Sequence, residues 1–297
     1  MTFFDDIRMN FPDLKLEAAE PMAKHTSFRI GGPAPMAFPS DCEEMIALYR
    51  FCVSRKIRFR MLGAGTNVLA PDQGMEELVI CTKDLSRMQD LGNGMIEAEC
   101  GVSLARLACF ARDLGLTGLE FAHGIPGTVG GGVYMNAGAY GGEMCQVAVS
   151  TVALMPDGSI WEAEGDAHGF SYRHSAFEEN GAVILKTRFQ LTPGDQTAIT
   201  EKMQELAQKR RASQPLEMPS AGSTFKRPVG GYAAALIDQA GLKGKGIGGA
   251  AVSEKHAGFV VNLGGATAAD VLNTMDYVKK TVYEQSGILL EPEVRIW

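Results

Sequence analysis

The chain has 297 residues, 45 % of them hydrophobic and 21 % charged, with a net charge of −7. That balance suits a globular protein with a large core, and its acidic sign argues against nucleic-acid binding, which needs a basic footprint. No run of about 18 apolar residues occurs, so no membrane insertion is predicted, and Asp5 and Asp6 interrupt the start as no signal peptide would. Six cysteines, at 42, 52, 81, 100, 109 and 145, lack C-x-x-C spacing and read as reduced cytosolic core residues. The five histidines show no ligand spacing, so no metal site is expected.

The first 24 residues read as an N-terminal arm. In "HTSFRIGGPA" (25–34) two glycines follow a short apolar strand. "SDCEEMIALYRFCVS" (40–54) reads as a helix, opened by a capping box of Ser40 and Glu43, with Met45, Leu48, Tyr49 and Cys52 at helical spacing. "RFRML" (58–62) is a strand running into "GAGTNVL" (63–69), and "LVICT" (78–82) is another. "MIEAEC" (95–100) alternates like a strand. "SLARLACFARDLG" (103–115) places Leu104, Leu107, Ala108, Ala111 and Leu114 on one helical face, with Gly115 as its cap. Strands are expected at 147–155, 158–163 and 182–191, and "PGDQ" (193–196) is a turn. Helices follow at 197–212, 232–241 and 267–287, with strands near 247–252, 258–262 and 288–296. The predicted class is α+β, divided at 1–83, 84–193 and 194–297.

Glycine is the compositional outlier: 35 residues, about 12 %, against an ordinary share of about 7 %. "GAGTNVL" is either a tight turn or a loop whose amides approach a phosphate; Val68 and the lack of a following helix exclude a Rossmann fingerprint. "GIPGTVGGGVYMNAGAYGGE" (124–143) holds eight glycines between 124 and 142. Its Ile, Val, Tyr and Met do not suit a flexible linker, so the stretch reads as an irregular loop folded against a flat ligand.

In "AGSTFKRP" (221–228), Ser223 is in neither a G-x-S-x-G elbow nor a P-loop. Alone, it reads as a cap or turn serine. Lys209 to Arg211 are either an anion site or a solvated helix end matched to the helix dipole.

The two glycine loops resemble those of the vanillyl-alcohol-oxidase and p-cresol-methylhydroxylase superfamily of FAD proteins. With "HTSFRIGGPA", "YRHS", "AGSTFKRP" and "LEPEVRIW" in order, the chain from about His25 to Trp297 resembles the UDP-N-acetylenolpyruvoylglucosamine reductase family. The subclass is the one lacking an extra tyrosine-bearing insert. The resemblance implies two α+β subdomains holding FAD non-covalently and a C-terminal α+β substrate domain. It implies NADPH as co-substrate, UDP-N-acetylglucosamine enolpyruvate as substrate, a monomer, and a place in the bacterial cytoplasm.

By the same resemblance, hydride passes from flavin N5 to the enolpyruvyl C3 and a proton to C2. Arg173 would contact the substrate carboxylate, Ser223 would donate the proton, and Glu293 would stabilise the intermediate or orient Arg173. Glu291 lies two residues away, but the family glutamate directly precedes Val-Arg. FAD contacts would come from Leu62, Gly63, Ala64, Gly65, Thr66, Asn67, Gly124, Pro126, Gly127, Thr128, Gly130, Gly131, Asn136, Ala137, Gly138, Ile184, Arg210 and Arg295. Substrate contacts would come from Tyr172, Lys226 and Arg227. The chain departs from the family pattern at Gln214, where a lysine is common, and at Arg227, where asparagine is common. Two rival readings are an oxidase of the same superfamily, with flavin attached through His25, His123 or Cys145, and a non-catalytic flavin or UDP-sugar sensor.

Overall fold

The computed structural model describes residues 2–297. Two compact units emerge, each assembled from separated stretches of chain. The first comprises residues up to Ala18, Pro35–Ala64 and Glu77–Lys209; the second comprises Ala19–Ala34, Gly65–Glu76 and Arg210–Trp297. Each has its own apolar cluster.

The first unit opens with the helix Phe3–Asn10, capped by Thr2, whose hydroxyl and backbone N–H pair reciprocally with Asp5. Ile7 of this helix is fully buried in the core, so the N-terminal arm is structural. The helix predicted at 40–54 spans Cys42–Arg55, and its cap lies one residue beyond the expected one. Asp41 accepts from Glu44 N at 2.9 Å, while the Glu44 carboxylate takes Ser40 N at 2.7 Å. A carboxylate near the helix N-terminus is favoured by the dipole as well as by the bond, and Asp41 takes the place expected of Ser40. Met45, Leu48, Tyr49 and Cys52 are its buried face, as the periodicity requires. Phe59–Leu62 and Leu78–Cys81 pair in parallel, and Met36 and Ala37 of the strand Pro33–Phe38 pair with Val79 and Ile80. The strand near "HTSFRIGGPA" therefore follows the glycines instead of preceding them. Phe28 and Ile30 are buried in irregular backbone, with Arg29 left-handed at φ 56°.

A five-stranded antiparallel sheet follows, in the order Ile160–Glu164, Ala148–Leu154, Val183–Gln190, Met95–Glu99 and Met88–Gly92. Alternation along its central strand sorts Thr187 and Phe189 inward, and Lys186 and Arg188 outward onto Glu97 at 2.8 and 2.9 Å. The helix Leu104–Asp113 buries Leu104, Leu107, Ala108 and Ala111; its N-cap is Ser103, and Gly115 beyond its end is left-handed. All six cysteines are free. Burial pushes the Cys52 and Cys100 thiols up to about 12.

The second unit packs the helix Ala268–Ser286 on a three-stranded antiparallel sheet of Gly246–Ile247, Ala250–Val252 and Val260–Asn262. Val271, Met275, Val278 and Val282 form its buried stripe. Thr267 and Asp270 cap the helix, and Asp72 accepts from Ala268 N at 2.7 Å. The loop Gly65–Glu76 is thereby tied to its own unit at one end. At the other end, Val68 and Leu69 pair in parallel with Arg295 and Ile296. Of the strand expected near 288–296, only Arg295–Ile296 forms a regular ladder. Among the described residues no helix is long and apolar enough to cross a membrane.

Candidate active site

The glycine tract is not irregular throughout, as its composition suggested: Val129–Tyr134 is a short helix containing Gly130, Gly131 and Gly132. Packing overrides propensity here, because the helix lies too close to its neighbours for side chains. A Cβ on Gly130 would lie 2.9 Å from Cys100 Cβ, and one on Gly132 would lie 3.2 Å from a Leu104 methyl. Thr128 is the N-cap, with its side chain toward Gly131 N. It also fixes the second loop: a Cβ on Gly63 would stand 2.6 Å from Thr128 Oγ1. The loop that continues the strand Phe59–Leu62 thus meets the start of the glycine helix with no side chain between them.

Each unit by itself presents open backbone amides of the kind that hold a phosphate. Among the described residues, the backbone N–H groups of Ala64, Gly65, Thr66, Gly124 and Gly127 donate to no other residue. Gly65 is left-handed at φ 64°, the alternation that turns successive amides into an anion-binding nest. Ile184 is buried on the central strand beside Ala153. Arg210 is near the end of the helix Gln196–Ser213, where Gln214 N closes onto its carbonyl.

The Asn136 side chain is bonded within the protein. It is 2 % exposed, and its amide nitrogen donates to Glu143 Oε2 at 3.0 Å and Ser171 O at 3.1 Å. Its oxygen accepts from Cys145 N at 3.0 Å. It is the pin between the glycine helix and the turn carrying Arg173. Ser175 adds a bond to Tyr134 O at 2.7 Å. Replacing Asn136 with leucine leaves three groups without their partners and puts a bulky side chain at φ 42°. At about 1–3 kcal/mol per stranded group, the variant loses about 3 kcal/mol or more, read as a lower denaturant midpoint.

Arg173 is itself left-handed, at φ 56°, an outlier for a long side chain and a mark of a conformation imposed by its surroundings. Ser171 and His174 close the turn around it by mutual backbone bonds. Its Nη2 donates to Gly138 O at 3.2 Å, and its Cζ lies 5.1 Å from the exposed Tyr172 ring. Arg173 is half-buried, and its guanidinium reaches the glycine tract.

Ser223 and Glu293 belong to the second unit, where backbone pairing brings their segments together. Phe225 bridges antiparallel to Pro292. Glu293 N donates to Thr224 O at 2.9 Å, and Lys226 N to Glu291 O at 2.9 Å. The serine and the glutamate thus flank one paired rung. Thr224 is locked on every polar atom: its N–H reaches Gly258 O at 2.8 Å, and its hydroxyl accepts from Val260 N at 2.8 Å. Ser223 is exposed between two buried residues, Ala221 and Thr224. Pro292 makes the two glutamates unlike. Glu291 is exposed beside Lys226, at 3.8 Å, whereas Glu293 is half-buried.

Asn67 joins the first glycine segment to this rung. Its amide nitrogen donates to Glu293 O at 3.1 Å, and its carbonyl accepts from Arg295 N at 2.9 Å. Ser27 performs a similar service, donating to Ser220 O at 2.6 Å and taking Gly65 O on its N–H at 3.0 Å. The sequence signals neither role: a side-chain bond to a distant carbonyl leaves no local pattern. The aromatic partner of Arg227 was also missed. Its Cζ stands 4.4 Å from the centroid of Tyr232.

The chain is similar to known proteins over nearly its whole length. Residues 33–164 match the FAD binding domain model, and residues 214–297 the C-terminal domain model of UDP-N-acetylenolpyruvoylglucosamine reductase. The UDP-N-acetylenolpyruvoylglucosamine reductase of Limosilactobacillus fermentum is 44 % identical over 98 % of this chain and 97 % of its own. That of Caldanaerobacter subterraneus is 45 % identical over the same shares. The crystal structure of the Thermus caldophilus enzyme of that name superposes with a TM-score of 0.81 at 34 % identity, covering 96 % of this chain and 99 % of the other.

Proposed function

The chain belongs to the UDP-N-acetylenolpyruvoylglucosamine reductase family, FAD-dependent oxidoreductases of peptidoglycan synthesis, and on that premise we propose how its own residues carry the reaction. The substrate is UDP-N-acetylglucosamine enolpyruvate and the product UDP-N-acetylmuramate, made in the bacterial cytoplasm. The glycine segments at 62–67 and 124–138 would hold FAD, which, reduced by NADPH, would supply the hydride that C3 of the enolpyruvyl group receives.

Hydride arriving at C3 leaves negative charge on C2 and the carboxylate. Arg173 meets that carboxylate with a planar guanidinium fork that matches its two oxygens. Its left-handed backbone and its bond to Gly138 hold the guanidinium before substrate arrives, which is the condition for electrostatic stabilisation without reorganisation. Ser223 gives its hydroxyl proton to C2. A hydroxyl is a weak acid, but the carbanion is a strong base, and no histidine is needed to deprotonate a group whose task is to donate. Glu293 holds the developing charge from the other side of the paired rung. Lys226 and Arg227 contact the diphosphate.

The observation that carries this reading is the rung itself. Thr224 and Glu293 are hydrogen-bonded through their backbones, so the proposed acid and the proposed stabiliser are set as one element. The test is a mixture of protein, NADPH and UDP-N-acetylglucosamine enolpyruvate followed at the NADPH absorbance band. Oxidation that depends on the enolpyruvyl substrate is the expected result; oxidation indifferent to it defeats the reading. Acid precipitation should leave the flavin in the supernatant, and flavin in the pellet would identify a covalent oxidase instead.

A further inference from the structure

Beyond Ser223 the chain makes a short flap. Its base is fixed: Thr224 and Phe225 are buried, and Lys226 N is bound to Glu291 O. From Arg227 it leaves the body of the unit. Val229 is 100 % exposed, Gly230 is left-handed at φ 81°, and a side chain added at Gly230 or Gly231 would meet nothing within 4 Å. The flap returns at Tyr232, just before the helix Ala233–Gln239.

Two side chains are displayed there. Tyr232 is 61 % exposed, far more than a tyrosine placed for packing. The Arg227 guanidinium lies over its ring at 4.4 Å. Such a contact at an exposed site orients both partners without burying either. It offers a planar cation beside an aromatic plate, five residues apart on one turn. An aromatic face accepts a nucleobase of any identity by stacking, and a guanidinium fork fits a phosphate oxygen pair. A base joined to a diphosphate presents both.

We propose that the Arg227–Tyr232 flap is the nucleotide-binding element of the substrate site, with Tyr232 stacking on the pyrimidine and Arg227 paired with the adjacent diphosphate. The proposal rests on the functional reading above, and it adds what that reading lacks, a residue for the base. It also gives the Arg227 substitution a reason. Asparagine cannot stack as a cation on an aromatic ring, whereas arginine can hold Tyr232 and a phosphate together.

The experiment titrates UDP, without sugar or enolpyruvyl group, into the FAD-loaded protein by calorimetry. Tyr232→Ala should weaken UDP binding by about tenfold to a hundredfold, the range of one base–aromatic stack. Tyr232→Phe, which keeps the plate, should bind within about threefold of the unaltered protein. Arg227→Ala should weaken inorganic pyrophosphate as well as UDP, whereas Tyr232→Ala should weaken UDP alone. Flavin content and visible spectrum report that each variant is folded. UDP binding unchanged in Tyr232→Ala, or lost equally in Tyr232→Phe, overturns the flap and leaves the functional reading standing. Unaltered protein that binds no UDP and oxidises no NADPH with the enolpyruvyl substrate overturns both.

Discussion

Replacing Ser223 with alanine leaves reduction of the bound flavin by NADPH nearly intact and slows its reoxidation by the enolpyruvyl substrate by about 10²- to 10⁴-fold, the usual worth of a placed general acid. The asymmetry follows from position. The hydroxyl is exposed and contributes nothing to the core, while the residue after it is bonded at N–H, carbonyl and hydroxyl. Alanine therefore removes the hydroxyl proposed to donate the proton without loosening the rung that Thr224 makes with Glu293. Hydride transfer to C3 then slows, because the charge it leaves on C2 has no adjacent proton to collapse onto. Stopped-flow traces of the two half-reactions separate these effects. Ser223→Cys should recover part of the lost rate, because a thiol also donates. Equal slowing of both half-reactions would make Ser223 a structural residue.

Gly65→Ala should be the most damaging single change in the cofactor segment. The residue is left-handed, which costs a non-glycine about 1–3 kcal/mol. The added carbon would also lie 2.0 Å from His25 O and 3.0 Å from Thr26 Cα. Both obstacles are backbone, so no rotamer change relieves them. We expect a loss of more than about 3 kcal/mol, with the thermal midpoint falling about 2–4 °C per kcal/mol, and flavin lost on purification. Gly131→Ala is the contrast. Its carbon would meet nothing nearer than 3.7 Å, and alanine suits a helix better than glycine. That variant should keep its melting temperature and lose flavin only if the exposed face at 131 lies against the cofactor. A Gly65→Ala protein that melts like the parent would refute the backbone conformation assigned to the loop.

What could be read from the sequence follows how local each feature is. The helix Leu104–Asp113 was legible because cap, apolar stripe and terminal glycine all lie within its own residues. The same holds for the helix at 268–286, which Thr267 opens and Gly287 closes. The helix Val129–Tyr134 was not legible, since three consecutive glycines argue against it and only the nearness of Cys100 and Leu104 explains them. The position of Asp41 as cap depended on which of two adjacent oxygens reached the amide. In the candidate site, the glycine segments and the serine announced themselves, the first by composition and the second by its family motif. The bonds that the side chains of Asn136 and Asn67 make to Ser171 and Glu293 were not legible, because tertiary folding sets them.

Synthesis runs in one direction, and the bond from Asn67 to Glu293 spans 226 residues. At about 5–20 residues per second, Asn67 leaves the ribosome roughly 11 to 45 s before its acceptor exists. Through that interval Val68 and Leu69 lack their strand partners, although His25 to Ser27, which frame Gly65, are already made. The long antiparallel sheet, whose strands all lie between Met88 and Gln190, can form meanwhile from contacts already translated. The segment that begins at Gly65 and the rung that carries Ser223 then mature in a single late event. A nascent chain stalled before Arg295 would hold a finished sheet while Val68 and Leu69 still waited for their partners.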